Sequence, residues 1–179
     1  MKENKGITMV TLVITIIVLL ILAGISVGTG NKVIKSSELE NIKTNMLLIK
    51  VKGKEYVENA NFKLGTNFES ATDKETRVAT AKGELKGEEI IDSSIFGENM
   101  NITQDTITND NADYIYYYKL DKTNLTDMGI SNVQSDEKSG WYIIKYDIKN
   151  VEVEVYNTVG FENEDKIYYS LTELQNLNL

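Results

Sequence analysis

Residues 5–27 read KGITMVTLVITIIVLLILAGISV, and the reading of this stretch decides the fold. A lysine and a glycine lead into an apolar run that carries three threonines and no charge until after Asn31. As a helix, residues 7–27 extend roughly 30 Å at ~1.5 Å per residue, about the thickness of a bilayer core. The apolar core of a secretory signal is shorter, about 7–15 residues. A small-residue cleavage site drawn near Ser26 and Gly28 matches poorly, so the run is expected to be kept as an anchor. Lys2, Lys5 and the amino terminus precede it, and Lys32 and Lys35 follow it. The positive-inside rule then favours the leading end in the cytoplasm and the rest of the chain outside.

Composition narrows the function. The chain has 179 residues, room for one domain plus an anchor. Its net charge of −8 comes without any basic cluster, so nucleic acid is not an expected partner. Cysteine, histidine and proline are all absent. That removes disulfides, thiolate metal sites, the commonest general base and the usual helix breaker. No nucleophile–base constellation is visible, and the chain is not expected to be an enzyme or to carry a cofactor.

Within the run, Thr8, Thr11 and Thr15 are spaced by three and four and share one helical face. Such a face can meet another helix closely and hydrogen-bond across it in lipid. The alternative is that each threonine bonds only its own preceding turn. The glycines at 24, 28 and 30 mark a weak point in the helix rather than a dimer face.

The segment Lys5-Gly6-Ile7-Thr8-Met9-Val10 with its uninterrupted apolar helix resembles the prepilin amino terminus of type IV pilins and of the pseudopilins of type II secretion and competence systems, in variants from Gram-positive bacteria. The resemblance covers about the first 30 residues. It implies that a prepilin peptidase cuts after Gly6, that Ile7 becomes a new and N-methylated terminus, and that the helix stays to join other pilin-like subunits. It also implies a membrane protein with an extracytoplasmic domain, displayed at the cell surface in a pilus or secretion filament. The chain departs from the family at two places. Ile7 stands where phenylalanine is usual, and Thr11 stands where the family has a glutamate that pairs with a neighbour's amine. Thr11 cannot supply that charge, which points to a minor subunit. A single-pass anchored surface module that binds a ligand and never polymerises is the alternative.

After Asn31 the helix continues in amphipathic form. Leu39, Ile42, Met46 and Ile49 follow a 3-4-3 spacing, Leu47 and Leu48 widen that stripe, and Tyr56 and Val57 extend it. The expected organisation is a leader at 1–6, a membrane or filament-core helix at 7–30, its amphipathic continuation at 31–59, and a globular domain at 60–179. Residues 60–112 are polar and say least. Thr72 and Glu75 fit a capping box for a short helix near 73–82, and Glu88 and Glu89 read as solvated.

From Tyr114 the period changes to two. Residues 114–120 and 141–148 read as strands, Val151, Val153 and Val155 alternate with Glu152 and Glu154, and 161–169 reads as a turn and a short strand. Ser170 and Glu173 form a capping box for a final helix. Close spacing makes the last three strands an antiparallel meander. The expected fold is α+β, a long N-terminal helix on a C-terminal antiparallel sheet, which is the pilin architecture. The aromatic series Tyr114, Tyr116, Tyr117, Tyr118, Trp141 and Tyr142 could line a binding surface, although aromatics in strands mostly pack in cores. No metal is expected. Asn109, Asp110, Asn111 and Asp113 lack the glycine turn and closing acid of a calcium loop, and Asp110 and Asp113 are the candidates should calcium bind.

Overall fold

The computed structural model describes the backbone of residues 9–177 and the side chains of residues 33–177. Two compact units divide after Glu40, the second running Asn41–Asn178. The first helix, α1 (Met9–Leu64), enters the second unit at Asn41 and ends five residues beyond the expected boundary. Gly65, at φ +75°, follows its last residue and donates its N–H to the carbonyl of Asn61. Among the described residues no helix is long and apolar enough to cross a membrane; the side chains of the run at 7–27 lie outside them.

The second unit is α+β, with α1 packed on a five-stranded antiparallel sheet. Its other elements are α2 (Lys74–Gly83), β1 (Glu88–Glu89), α3 (Gln104–Ala112), β2 (Ile115–Leu120), α4 (Lys122–Asp127), β3 (Tyr142–Asp147), β4 (Glu152–Asn163), β5 (Lys166–Ser170) and α5 (Leu171–Gln175). Strand order in space equals order in sequence, β1-β2-β3-β4-β5. The meander is therefore as the strand spacing predicted. Ser170 accepts from the Glu173 N–H and Glu173 reaches back to Ser170, so the predicted box does cap α5.

Register and side-chain alternation sort the sheet into two faces. Tyr116, Tyr118 and Leu120 share one with Tyr142, Ile144 and Tyr146 and with Val153 and Val155. This face takes α1. Met46, Ile49, Val57 and Ala60 are fully buried, and Leu64 is nearly so. Gly53 sits in the middle of that stripe, where a Cβ would lie 2.3 Å from Ile144 Cδ1 and 3.2 Å from Val153 Cγ1. The glycine does not interrupt the helix; it lets the helix approach the sheet. Asn61 on α1 donates to the carbonyl of Ile148 at 2.8 Å and ties the end of the helix to β3.

The opposite face is covered by the stretch that the sequence left blank. Ile90, Phe96 and Ile107 bury against Tyr117 and Ile143, with Ile95, Met100, Ile102 and Tyr156 packed around them. Residues 90–107 are polar on average because they lay only a thin lid on that face, which needs few apolar residues. α3 was missed for that reason, and the Asn109–Asp113 cluster is its last turn and cap rather than a free loop. α2 forms near the predicted place, but Thr72 does not cap it. The helix starts after Asp73, whose carboxylate is held by Arg77 Nε at 2.9 Å and caps no backbone N–H.

β4 is longer than the valine alternation suggested because it passes through a bulge. Register shifts between Tyr156 and Phe161, and Gly160 takes φ +72° there, where a Cβ would meet the Tyr168 carbonyl at 2.7 Å. Buried Asn157 holds the bulge by accepting from the N–H groups of Val159 and Gly160 at 3.0 and 2.9 Å. Glu164 and Asp165, both at positive φ, close the tight β4–β5 hairpin.

Candidate functional site

The predicted processing and helix-packing positions fall outside what the structure describes. Gly6, Ile7 and Thr8 precede it, and the side chains of Thr11 and Thr15 are beyond its reach. The candidate site therefore has to be built from the second unit.

The aromatic series is core. Tyr116, Tyr117, Tyr118 and Tyr142 are buried, Tyr114 is 9 % exposed, and only Trp141 is partly open, beneath Lys119 Nζ at 5.2 Å. Burial is the main cause that raises the phenol pKa values of Tyr117, Tyr118, Tyr146 and Tyr156, and it pushes that of Tyr116 up to about 12. These rings anchor the sheet, and of them Tyr114 and Tyr116 also line a cleft of about 440 Å³ beside α2.

Asp110 and Asp113 are not brought together around a cavity. Asp110 Oδ2 accepts from the Tyr117 hydroxyl at 2.5 Å and pairs with Lys145 Nζ at 2.9 Å, so it clamps α3 to the sheet. Asp113 is exposed at the end of α3. Among the described residues no three acidic side chains gather as a metal site would require. Glu88 is solvated as expected, paired with Lys119 at 2.7 Å; Glu89 is instead half-buried against Lys82 at 2.6 Å.

What the sequence did not anticipate is the outer side of α1. Leu47 and Leu48 do not widen the buried stripe: they are 47 % and 49 % exposed. Val51 at 63 % and Phe62 at 82 % join them. At ~100° per residue these four cover an arc of about 100°, centred about 170° from the buried stripe. The helix carries apolar side chains on two opposite sides, the outer one interrupted by Glu55 and Glu58 between Val51 and Phe62. The 47-51 spacing with Leu48 beside it was the available signal, but periodicity alone does not tell which side of the helix meets the sheet.

Beside this outer stripe lies a groove of about 700 Å³. Leu47, Lys50, Val51 and Lys54 of α1 form one wall, and Val153 with Glu152 and Glu154 of β4 forms the other. The groove exists because β5 pairs with β4 only from Tyr156 onward, which leaves 152–155 without a strand on their outer side. α5 closes only its far end, where Thr172 donates to Glu154. Lys54 donates to the carbonyl of Val151 and fixes one corner. Lys50 and Glu152 have no ion-pair partner among the described residues.

Comparison with protein-family models, curated proteins and solved structures finds no match for this chain.

Proposed function

We propose that the protein is a pilin-like structural subunit, a minor component of a type IV pilus or of a type II secretion or competence filament. Its leader is removed after Gly6 by a prepilin peptidase, its apolar helix holds it in the membrane with the C-terminal domain outside, and the same helix carries it into the filament. The carrying observation is the two-sided helix. α1 uses one stripe on its own sheet and keeps a second, Leu47, Leu48, Val51 and Phe62, facing solvent. A helix that served only its own domain would bury its apolar residues on one side and be polar on the other. A second apolar side is what a helix needs when it must also pack against a neighbour. The amino-terminal resemblance, with Thr11 in place of glutamate, agrees with a minor position.

The test is the intact mass of the protein from its own cells. Loss of MKENKG alone is expected, and Gly6→Leu should block it. An intact Met1, or a new terminus near Gly28, would sink the reading. A membrane-anchored module that never polymerises would keep its anchor but stay monomeric in the membrane.

A further inference from the structure

The exposed aromatic on α1 and the groove beside β4 are complementary parts of one surface. Phe62 is 82 % exposed, the most open of the large apolar side chains described. Glu58, one turn before it, and Lys63, next to it, are exposed and have no ion-pair partner among the described residues. The knob is therefore a ring flanked by one free acid and one free base. The groove's apolar lining is Leu47, Val51, Ile115 and Val153; of its charged residues Lys54, Lys145, Asp147 and Glu154 are already engaged, which leaves the base Lys50 and the acid Glu152. Each charge beside the ring has an opposite charge waiting beside the groove.

The two parts cannot meet within one chain. Phe62 lies 11 residues after Val51 on the same helix, ~17 Å along its axis at 1.5 Å per residue. Where all copies point the same way, as in a filament, a knob and a groove at different heights meet head-to-tail and the contact repeats from copy to copy. A closed antiparallel dimer could use the same pairing twice, each ring in the other copy's groove, so a processed protein that stops at a dimer overturns the head-to-tail form.

We propose that Phe62 of one copy seats in the groove between α1 and the outer edge of β4 of the next copy, with Glu58 against Lys50 and Lys63 against Glu152. This rests on the filament-subunit reading and names its contact. Burying the ring removes apolar area from water at both surfaces, and the flanking pairs set the direction of approach more than they add affinity.

The chain has no cysteine, so engineered thiols report only on this contact. Full-length Phe62→Cys and Val51→Cys copies carrying different tags, co-expressed in the native cells and oxidised, should give the mixed disulfide several-fold over either like pair. Lys50→Glu should lower that yield several-fold, and Glu58→Lys on the Phe62→Cys copy should restore it. Val51, Glu58 and Phe62 are exposed and Lys50 is half-buried, so the circular dichroism of every variant should match the parent. A dominant Val51–Val51 pair overturns the proposal in favour of stripe-to-stripe packing. A mixed yield unmoved by Lys50→Glu overturns it as well. Filaments that form without the mixed disulfide overturn the seating and spare the filament reading. A parent chain that is processed after Gly6 yet never self-associates overturns both.

Discussion

The two sides of α1 both carry apolar side chains, and only one of them meets the sheet. The inner side presents Met46, Ile49, Gly53, Val57, Ala60 and Leu64 to the sheet. The outer side presents Leu47, Leu48, Val51 and Phe62 to solvent. Both have helical spacing, but the inner side is wholly apolar while the outer one mixes its aliphatic and aromatic side chains with Glu55 and Glu58. What also separates them is size in the middle of the contact: Gly53 leaves room where Ile144 and Val153 come closest, and the outer stripe has no such gap. A helix approaches a sheet along the side where it is narrow, so the outer stripe is left for something else. The comparison teaches that hydrophobic periodicity counts apolar sides, while side-chain volume selects the one that packs.

Substitutions on the inner side should have the largest effects. Ile49→Ala is expected to lower stability by about 2–5 kcal/mol, since it opens a cavity at a fully buried position. Gly53→Leu should cost about 3 kcal/mol or more, because the added atoms run into Ile144 and Val153. Urea unfolding of the full chain in detergent, followed by far-ultraviolet circular dichroism, measures both. If either is tolerated, the close approach of helix and sheet is wrong.

Alkali should act next, through the face that α1 covers. The folded phenols of Tyr116, Tyr118 and Tyr146 titrate above their ordinary value near 10, chiefly because they are buried. A raised folded pKa for an acid contributes stability that is complete below the unfolded value and is lost as pH climbs toward the folded one. Stability should therefore fall between about pH 10 and the folded value of about 12 at Tyr116. Absorbance at the phenolate band should show a late, cooperative step that coincides with loss of circular dichroism. A gradual titration centred near 10 would place the rings in solvent.

Tyr117→Phe probes the lid on the other face. It removes one hydrogen bond to Asp110 and leaves the Lys145 pair, so a loss of about 1 kcal/mol is expected in the same urea experiment. The smallest stability effect belongs to the outer stripe. Leu47→Ser with Val51→Ser should change stability by less than about 0.5 kcal/mol, because both side chains are already in water. The same double variant should abolish recovery of the protein in sheared surface filaments. A stable variant that still assembles would make the outer stripe idle.

Much of the fold was legible in particular residues. The Tyr-rich run at 114–120, the alternating valines and glutamates, and the Ser170–Glu173 box each carry their structure locally, since period and capping depend on neighbours in sequence. The lid was not legible, because Ile90, Phe96 and Ile107 are scattered among polar residues and are recognisable as core only once Tyr117 and Ile143 lie beneath them. Thr72 was misread for a related reason: Arg77 holds the neighbouring Asp73, and the helix begins there. The groove was invisible, because it follows from where β5 stops pairing with β4.

The sequence by itself determined that a long amphipathic helix precedes an antiparallel meander, since both follow from the spacing of apolar residues along the chain. Only the tertiary structure decided which side of that helix is core and which is surface. That choice depends on the fit of Gly53 against Ile144 and Val153, volumes that come together from positions about a hundred residues apart, where no local pattern reaches.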